Sequence, residues 1–485
     1  MSTSLVVILV PFIAALLALV LRQRSLQTFV AVLSTIATFV VARLLRDDPG
    51  FSALWIPGFG SYFELNPAGA ARVLVFVASI VMIPTVGYAA AKIKDRTGGF
   101  LALLLLMQAG LNGLFLAKDL VVFYLFWEAT LIPSVLMLGM WGGEKRRAAA
   151  TKYLIYAVAG SFLMLISILA IKPLSGAVSY RLSDLLVATP NLPLNMQLWL
   201  FAGFALAFAV KLPMFPLHAW LPDFHEQNHP SGVADVAGTL YKVGGFGFYA
   251  WVLPLLPDAA TAAAPLMMSL CAITAIYAAV IATSQTHIKR MLAYASLSHM
   301  GIVGVGVFGL HITGLNGAMF LLAAQMLSTG GLFFISAMLY ERKGTFDLNA
   351  YGGLAKSAPA LAAITLFILF TSIGVPGLAN FPGEFMSLMG AFQTQPVLAT
   401  IATLSVIAAG VYGVNLYQRL FQAEQKQATH DVNENEIFLL LPIILGILWL
   451  GLSPNGSFKQ IDQQSQIAVG QLEPLQTSMN SLGGE

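Results

Sequence analysis

The chain has 485 residues, 58% of them hydrophobic and only 10% charged, with a mean hydropathy of +0.80, whereas soluble domains carry about 25% charged residues. Its one cysteine, Cys271, excludes a disulfide scaffold, an iron–sulfur cluster and a thiolate zinc site. A net charge of +3, from 25 scattered basic residues, excludes a nucleic-acid surface and leaves a protein whose main partner is the lipid bilayer.

The apolar stretches are roughly 18 to 25 residues long and lack period-two alternation, so they are expected to cross as helices and not as barrel strands. Fourteen are expected, near residues 4–22, 27–45, 73–92, 100–117, 119–141, 149–171, 195–222, 233–255, 264–285, 290–309, 312–340, 357–391, 397–422 and 435–453. The first lacks the basic start of a signal peptide, and a second span follows directly after Arg22 and Arg24. It is therefore expected to be retained. The chain divides into N-terminal helices (1–99), a five-helix block (100–255), a second five-helix block (264–422), a last helix (435–453) and a polar tail (454–485). Because five is odd, a second copy of a five-helix unit enters the membrane from the opposite face. The expected fold is thus an all-α membrane protein with two inverted repeats, helices four to eight and nine to thirteen.

Odd-numbered loops carry fifteen Lys and Arg residues, among them Lys145, Arg146, Arg147, Lys289 and Arg290, and even-numbered loops with the tail carry seven. Positive loops stay cytoplasmic, so both termini are expected on the outer side. Three further cations fall inside spans: Lys152 at the start of helix six, Lys211 in helix seven and Lys242 in helix eight. Glu128 falls near the middle of helix five and Glu384 in the second half of segment twelve.

An ionisable group at mid-bilayer costs roughly 2.5 to 3.5 kcal/mol on insertion scales. Glu128, Lys211, Lys242 and Glu384 should therefore be paired, hydrated or both. For any one of them a structural ion pair suffices, but alternating signs across several helices point to a proton or ion route.

Two spans carry helix breakers. Helix seven contains Pro213, Pro216 and Pro222, and segment twelve contains Gly374, Pro376, Gly377 and Pro382. Proline removes a donor and glycine loosens the turn, so both helices are expected to break. A simple kink would also answer to this pattern. The breaks occupy the fourth position of each five-helix block, and matched broken helices in inverted repeats are a transporter signature.

His225-Glu226-Gln227-Asn228-His229 matches the H-E-x-x-H spacing of zinc metalloproteases. Pro230 opposes helical geometry at the second histidine, and the motif is expected in the short loop between helices seven and eight. His299, inside helix ten, suits proton transfer near neutral pH, or a hydrogen-bonded core role. His218, His287, His311 and His430 sit at span ends or in loops, where solvation is expected.

Phe126-Trp127-Glu128-Ala129-Thr130-Leu131-Ile132-Pro133, the run from Lys211 to Pro222, Leu297-Ser298-His299-Met300-Gly301 and Pro382-Gly383-Glu384-Phe385 resemble the antiporter-like membrane subunits of respiratory NADH:quinone oxidoreductase, chain M type. The resemblance covers roughly helices four to thirteen. It implies that Glu128, Lys211, Lys242 and Glu384 form a central proton-carrying axis with His299 in the relay. Family members often carry a histidine in helix eleven where this chain has Gln325, which holds a water but takes up no proton, so a water-mediated step is expected there. The resemblance further implies a translocase subunit with no cofactor or metal of its own. NADH, FMN, iron–sulfur clusters and quinone would sit on partner subunits, reached through neighbours of the chain L and chain N types. A subunit of a multi-subunit Na+/H+ antiporter or of a membrane-bound hydrogenase would carry the same motifs, and a spacer subunit would tolerate loss of the buried charges.

Overall fold

The computed structural model describes residues 2–240, 243–426 and 428–471. In chain order the helices are α1 (Thr3–Val20), α2 (Arg24–Leu44), α3 (Ala70–Lys92), α4 (Thr97–Leu116), α5 (Leu120–Trp141), α6 (Arg146–Ser175), α7 (Leu182–Ala188), α8 (Leu194–Lys211), α9 (Leu221–Gln227) and α10 (Val233–Leu240). They continue with α11 (Gly244–Gly247), α12 (Leu253–Leu255), α13 (Pro257–Ser284), α14 (Ile288–Phe308), α15 (Ile312–Lys343), α16 (Pro359–Ser372), α17 (Asn380–Thr394), α18 (Pro396–Tyr417), α19 (Glu434–Leu452) and α20 (Asn455–Gly470). Among the described residues, 12 helices are long and apolar enough to cross a membrane. The other two expected spans are assembled from shorter pieces: α10, α11, a π-helical turn at Phe248–Val252 and α12 for the eighth, α16 and α17 for the twelfth.

Burial grades from the centre outward. The apolar window of α15 is 100% buried and that of α14 94%, whereas those of α2, α18 and α19 are each 33% buried. A helix that is apolar on every side belongs in a core or against lipid, and both kinds are present.

Polar contacts between loops join odd with odd and even with even, the grouping expected of alternating crossings. On the odd face Arg24 donates to the Ala90 carbonyl at 2.9 Å, Lys92 pairs with Glu341 at 2.6 Å and Gly143 N–H donates to the Gln227 carbonyl at 2.7 Å. On the even face Arg181 pairs with Glu64 at 2.7 Å, Gln197 donates to Asp258 at 2.9 Å and Thr394 donates to the Gly309 carbonyl at 2.7 Å.

The same pattern of reciprocal backbone hydrogen bonds occurs twice, once between even-numbered and once between odd-numbered loops. On the even face, Leu120 N–H donates to the Tyr180 carbonyl at 3.0 Å and Leu182 N–H to the Lys118 carbonyl at 2.7 Å. On the odd face, Ile288 N–H donates to the Phe346 carbonyl at 2.9 Å and Leu348 N–H to the Thr286 carbonyl at 2.7 Å.

Two elements were not expected. A hairpin of β1 (Phe51–Ile56) and β2 (Ser61–Leu65) lies on the even face. It is pinned by the buried Asp119 carboxylate, which accepts from Tyr62 N–H at 2.9 Å and Ser61 Oγ at 3.0 Å while capping α5 through Val121 N–H at 2.9 Å. The first part of the polar tail packs on its own chain as α20, and residues 472–485 lie outside the described residues. The Phe458 ring stacks on Phe320 at 4.4 Å, and Tyr249 donates to the Ile461 carbonyl at 3.2 Å.

Candidate functional site

Span seven breaks where the prolines place it. α8 ends at Lys211, since Pro213 has no N–H to continue the ladder. Met214 N–H then reaches the Ala209 carbonyl at 2.8 Å, and Phe215 N–H donates to Thr274 Oγ1 at 2.9 Å, so the freed backbone is satisfied inside protein. Span twelve breaks in the matching way: α16 ends at Ser372, and Val375 N–H reaches the Phe370 carbonyl at 3.0 Å. Asn380 Nδ2 donates to the Ser372 carbonyl at 3.4 Å and its Oδ1 accepts from Ser328 Oγ at 3.1 Å. The expectation of two broken helices holds.

Each break carries an ionisable side chain. Lys211 is 2% exposed. Its ammonium donates to Thr130 Oγ1 at 2.9 Å and to the Trp127 carbonyl at 3.3 Å, and it sits 4.3 Å from the centre of the Trp127 ring. All of these partners stand on α5 beside Glu128, which is half-buried and within electrostatic reach of the lysine. At the second break Glu384 is 4% exposed. Its Oε1 lies 2.9 Å from His299 Nδ1, out of line for a hydrogen bond, and His299 Nε2 lies 3.1 Å from the Tyr412 hydroxyl. Glu128 with Lys211, and His299 with Glu384, thus form two clusters, one beside each break. Lys242, which the sequence sets between them, lies outside the described residues.

Gln325 is buried in α15, where its Oε1 accepts from Thr329 Oγ1 at 2.6 Å. Its Nε2 has no partner among the described residues, and Gln325 lines a small void together with Leu74, Phe115, Thr239 and Met300. The void, about 10 Å³ and mostly apolar apart from Thr239 and Gln325, has room for at most one water.

Sequence reasoning missed a third cluster on the odd face. Asp235 and Lys289, both fully buried, pair at 2.7 Å. Asp235 also lies 3.0 Å from His225 Nδ1 and accepts from Asn228 Nδ2 at 3.0 Å, while Lys289 donates to the Asn228 carbonyl at 2.9 Å. Both ions sit in the first turns of helices, Asp235 in α10 and Lys289 in α14, where a charge reads as a solvated end. Tyr412 was missed too. The available signal was a tyrosine in mid-span, whose hydroxyl needs a partner.

The expected placement of the H-E-x-x-H run is corrected in part. His225, Glu226 and Gln227 lie in a short helix, α9, not a loop. Its residues are committed to other contacts: His225 faces Asp235, Glu226 pairs with Arg290 at 2.5 Å, and His229 contacts Ser231 at 3.0 Å. Lys152 pairs with Asp223 at 2.7 Å in the same network. His218 is buried between the Phe215 and Tyr277 rings and not solvated, while His287 and His311 accept from Arg290 N–H and Thr313 N–H at the starts of α14 and α15.

Residues 117–409 match the family described as NADH:quinone oxidoreductase/Mrp antiporter, TM. NADH-quinone oxidoreductase subunit 13 of Thermus thermophilus is 42% identical over 452 residues, covering 92% of this chain and 94% of that protein. Subunit M of the Escherichia coli enzyme is 35% identical over 439 residues, covering 87% and 85%. Among solved structures, a chain of respiratory complex I from Thermus thermophilus with bound NADH superposes with a TM-score of 0.92 at 39% identity, covering 97% of this chain and 99% of that one. A chain of an archaeal membrane-bound sulfane sulfur reductase shares the fold alone, with a TM-score of 0.84 at 22% identity. The chain belongs to the family of antiporter-like membrane subunits of NADH:quinone oxidoreductases and Mrp antiporters, and within it to the chain M type.

Proposed function

We propose that this chain is a proton-translocating membrane-arm subunit of an NADH:quinone oxidoreductase, in which Glu128, Lys211, Lys242, His299 and Glu384 carry protons along a central axis driven by quinone reduction elsewhere in the complex. The observation that carries this reading is the symmetry of the two breaks. Each repeat interrupts the same helix and puts a buried ionisable group there, Lys211 in one and Glu384 in the other. A structural ion pair needs no broken helix, whereas matched broken helices with buried ionisable groups are a feature of transporters. Relatives named as NADH-quinone oxidoreductase subunits, at 42% and 35% identity over most of the chain, favour this reading over an Mrp-type Na+/H+ antiporter.

In charge terms, an anionic Glu128 close to Lys211 favours the protonated lysine, and moving that carboxylate away lets the low-dielectric surroundings favour the neutral amine. Such alternation loads a proton at Lys211 and releases it toward Lys242, with Gln325 and a bound water bridging toward His299 and Glu384. Redox energy enters through partner subunits that hold NADH, FMN, iron–sulfur clusters and quinone, and it reaches this chain through neighbours of the chain L and chain N types. The basic odd face lies on the cytoplasmic side of the bacterial inner membrane, and both termini lie outside.

The test is proton uptake by proteoliposomes containing the whole complex. Lys211→Ala and Glu128→Ala should leave the complex assembled and sharply reduce protons moved per quinone reduced. Undiminished pumping by both variants would reject the axis.

A further inference from the structure

A groove of about 740 Å³ runs along the outer surface of the helix bundle between α2, α3 and α19, closed at one end by the start of α20. Its walls are apolar: Ile36 and Phe39 on α2, Phe76 on α3, Leu445 and Trp449 on α19. The Phe39 and Phe76 rings stack at 5.4 Å, and Phe76 meets the Trp449 ring edge-on at 5.4 Å. Leu445 is 55% exposed and Phe438, farther along, 76%. Among the described residues, none fills the groove.

The even-face end of the same groove is basic. Arg43, Arg46 and Arg72 line it, and Arg46 and Arg43 are within electrostatic reach of Arg72, opposed there by Asp47. Arg72 is oriented by its own chain: Nε donates to Gln460 Oε1 at 2.8 Å and one terminal nitrogen to the Arg46 carbonyl at 3.3 Å, out of five N–H groups on a guanidinium. These three arginines are nearly half of the seven cations expected on the even face, the face where positive charge is disfavoured. Gathering like charges there is unfavourable unless an anion joins them.

From Arg72 to Gly87, the far lining residue on α3, the helical rise gives a length of ~22 Å, against a leaflet hydrocarbon depth of ~15 Å. A charged end and an apolar trough of this length match an amphiphile whose head is anionic and whose tail is an acyl chain. We propose that this groove is a selective site for a phospholipid with an anionic headgroup, its phosphate on Arg43, Arg46 and Arg72 and an acyl chain along Phe76, Leu445 and Trp449. The groove stands on its own geometry, while its place on the face where positive charge is disfavoured and its assignment to the outer leaflet rest on the orientation proposed above.

The test uses the intact complex in vesicles doped with photoactivatable lipid, either phosphatidylglycerol or phosphatidylcholine carrying a diazirine in its acyl chain, with cross-linked peptides mapped. Labelling of the Phe76 and Leu445–Trp449 peptides should favour phosphatidylglycerol on the order of fivefold. The preference should fall to parity in Arg43→Gln/Arg46→Gln, a pair of exposed residues whose replacement leaves the Arg72–Gln460 contact in place. Equal labelling by both lipids in the unmodified complex, or a preference that survives the double substitution, would overturn the site. So would an unlabelled groove in a complex whose exposed Phe162 on α6 is labelled, since a protein neighbour would then cover it.

Discussion

A methyl group placed on Gly374 would lie 2.3 Å from Oε2 of Glu384, so the carboxylate occupies space that only a glycine leaves open. Gly374 also has φ of +74°, where a side chain costs about 1 to 2 kcal/mol. Gly374→Ala should therefore displace the carboxylate from His299 without removing it. Pumping by the reconstituted complex should fall as far as in Glu384→Gln, with normal amounts of assembled complex. A Gly374→Ala complex that pumps normally beside a defective Glu384→Gln complex would show that the close fit of carboxylate to turn is dispensable.

Thr130 is the side chain that accepts from the Lys211 ammonium, at 2.9 Å. A hydrogen bond to a charged group contributes about 1.5 to 3 kcal/mol, and ~1.4 kcal/mol is a factor of ten in an equilibrium. Thr130→Val keeps shape and removes the acceptor, so the rate of proton translocation should drop about tenfold. Thr130→Ser restores the hydroxyl and should restore most of the rate. Equal rates in the valine and serine variants would mean that the Trp127 carbonyl and ring are enough to hold the ammonium.

Asp235 and Lys289 predict a stability effect that depends on which partner is removed. Asp235→Ala leaves the Lys289 ammonium fully buried with carbonyl acceptors but no counter-charge, a loss of about 3 to 5 kcal/mol. Thermal unfolding of the purified complex should begin at lower temperature in that variant. Asp235→Leu combined with Lys289→Met removes both charges and should recover much of the loss, because an apolar pair of similar volume is often neutral. A double variant less stable than Asp235→Ala would show that His225 and Asn228 depend on the carboxylate for more than charge balance.

What the sequence made legible follows from how each signal is written in the chain. Span-length apolar runs and helix breakers are local, so α5, α8 and the broken turns near Lys211 and Gly374 could be placed from residues alone. Pairings across long separations are not local: nothing near Asp235 announces Lys289, and nothing near His299 announces Tyr412. The α20 helix was legible but overlooked. Phe458, Ile461, Ser465 and Ala468 recur at helical spacing and lie on the packed face, yet the glutamines around them read as a polar tail. The hairpin gave a weaker signal, since its strands are short and its first is largely exposed, so no clean alternation marks a buried face.

Asp431, in the loop before α19, predicts a pH effect on the odd face. Its carboxylate accepts from Ala360 N–H and Leu361 N–H, each at 2.9 Å, and so ties the loop to the first turn of α16, the helix that ends at the second break. Burial raises the affinity of this carboxyl for a proton, but the N–H groups of Ala360, Leu361 and Val432, with Arg342 nearby, outweigh burial and hold it below the ordinary carboxylate range. A carboxyl whose proton affinity is lowered by folding stabilises the folded form above its unfolded pKa of about 3.9, and the contribution disappears as pH falls through the lower folded value. Hydrogen exchange at Ala360 and Leu361, corrected for the intrinsic pH dependence of exchange, should therefore show constant protection from pH 7 to about 5 and a loss of protection below about 4. Asp431→Asn keeps one acceptor oxygen without the charge, so protection should be weaker at pH 7 and flat down to acid pH. If the asparagine variant loses protection over the same acid range, another group controls the opening of this turn.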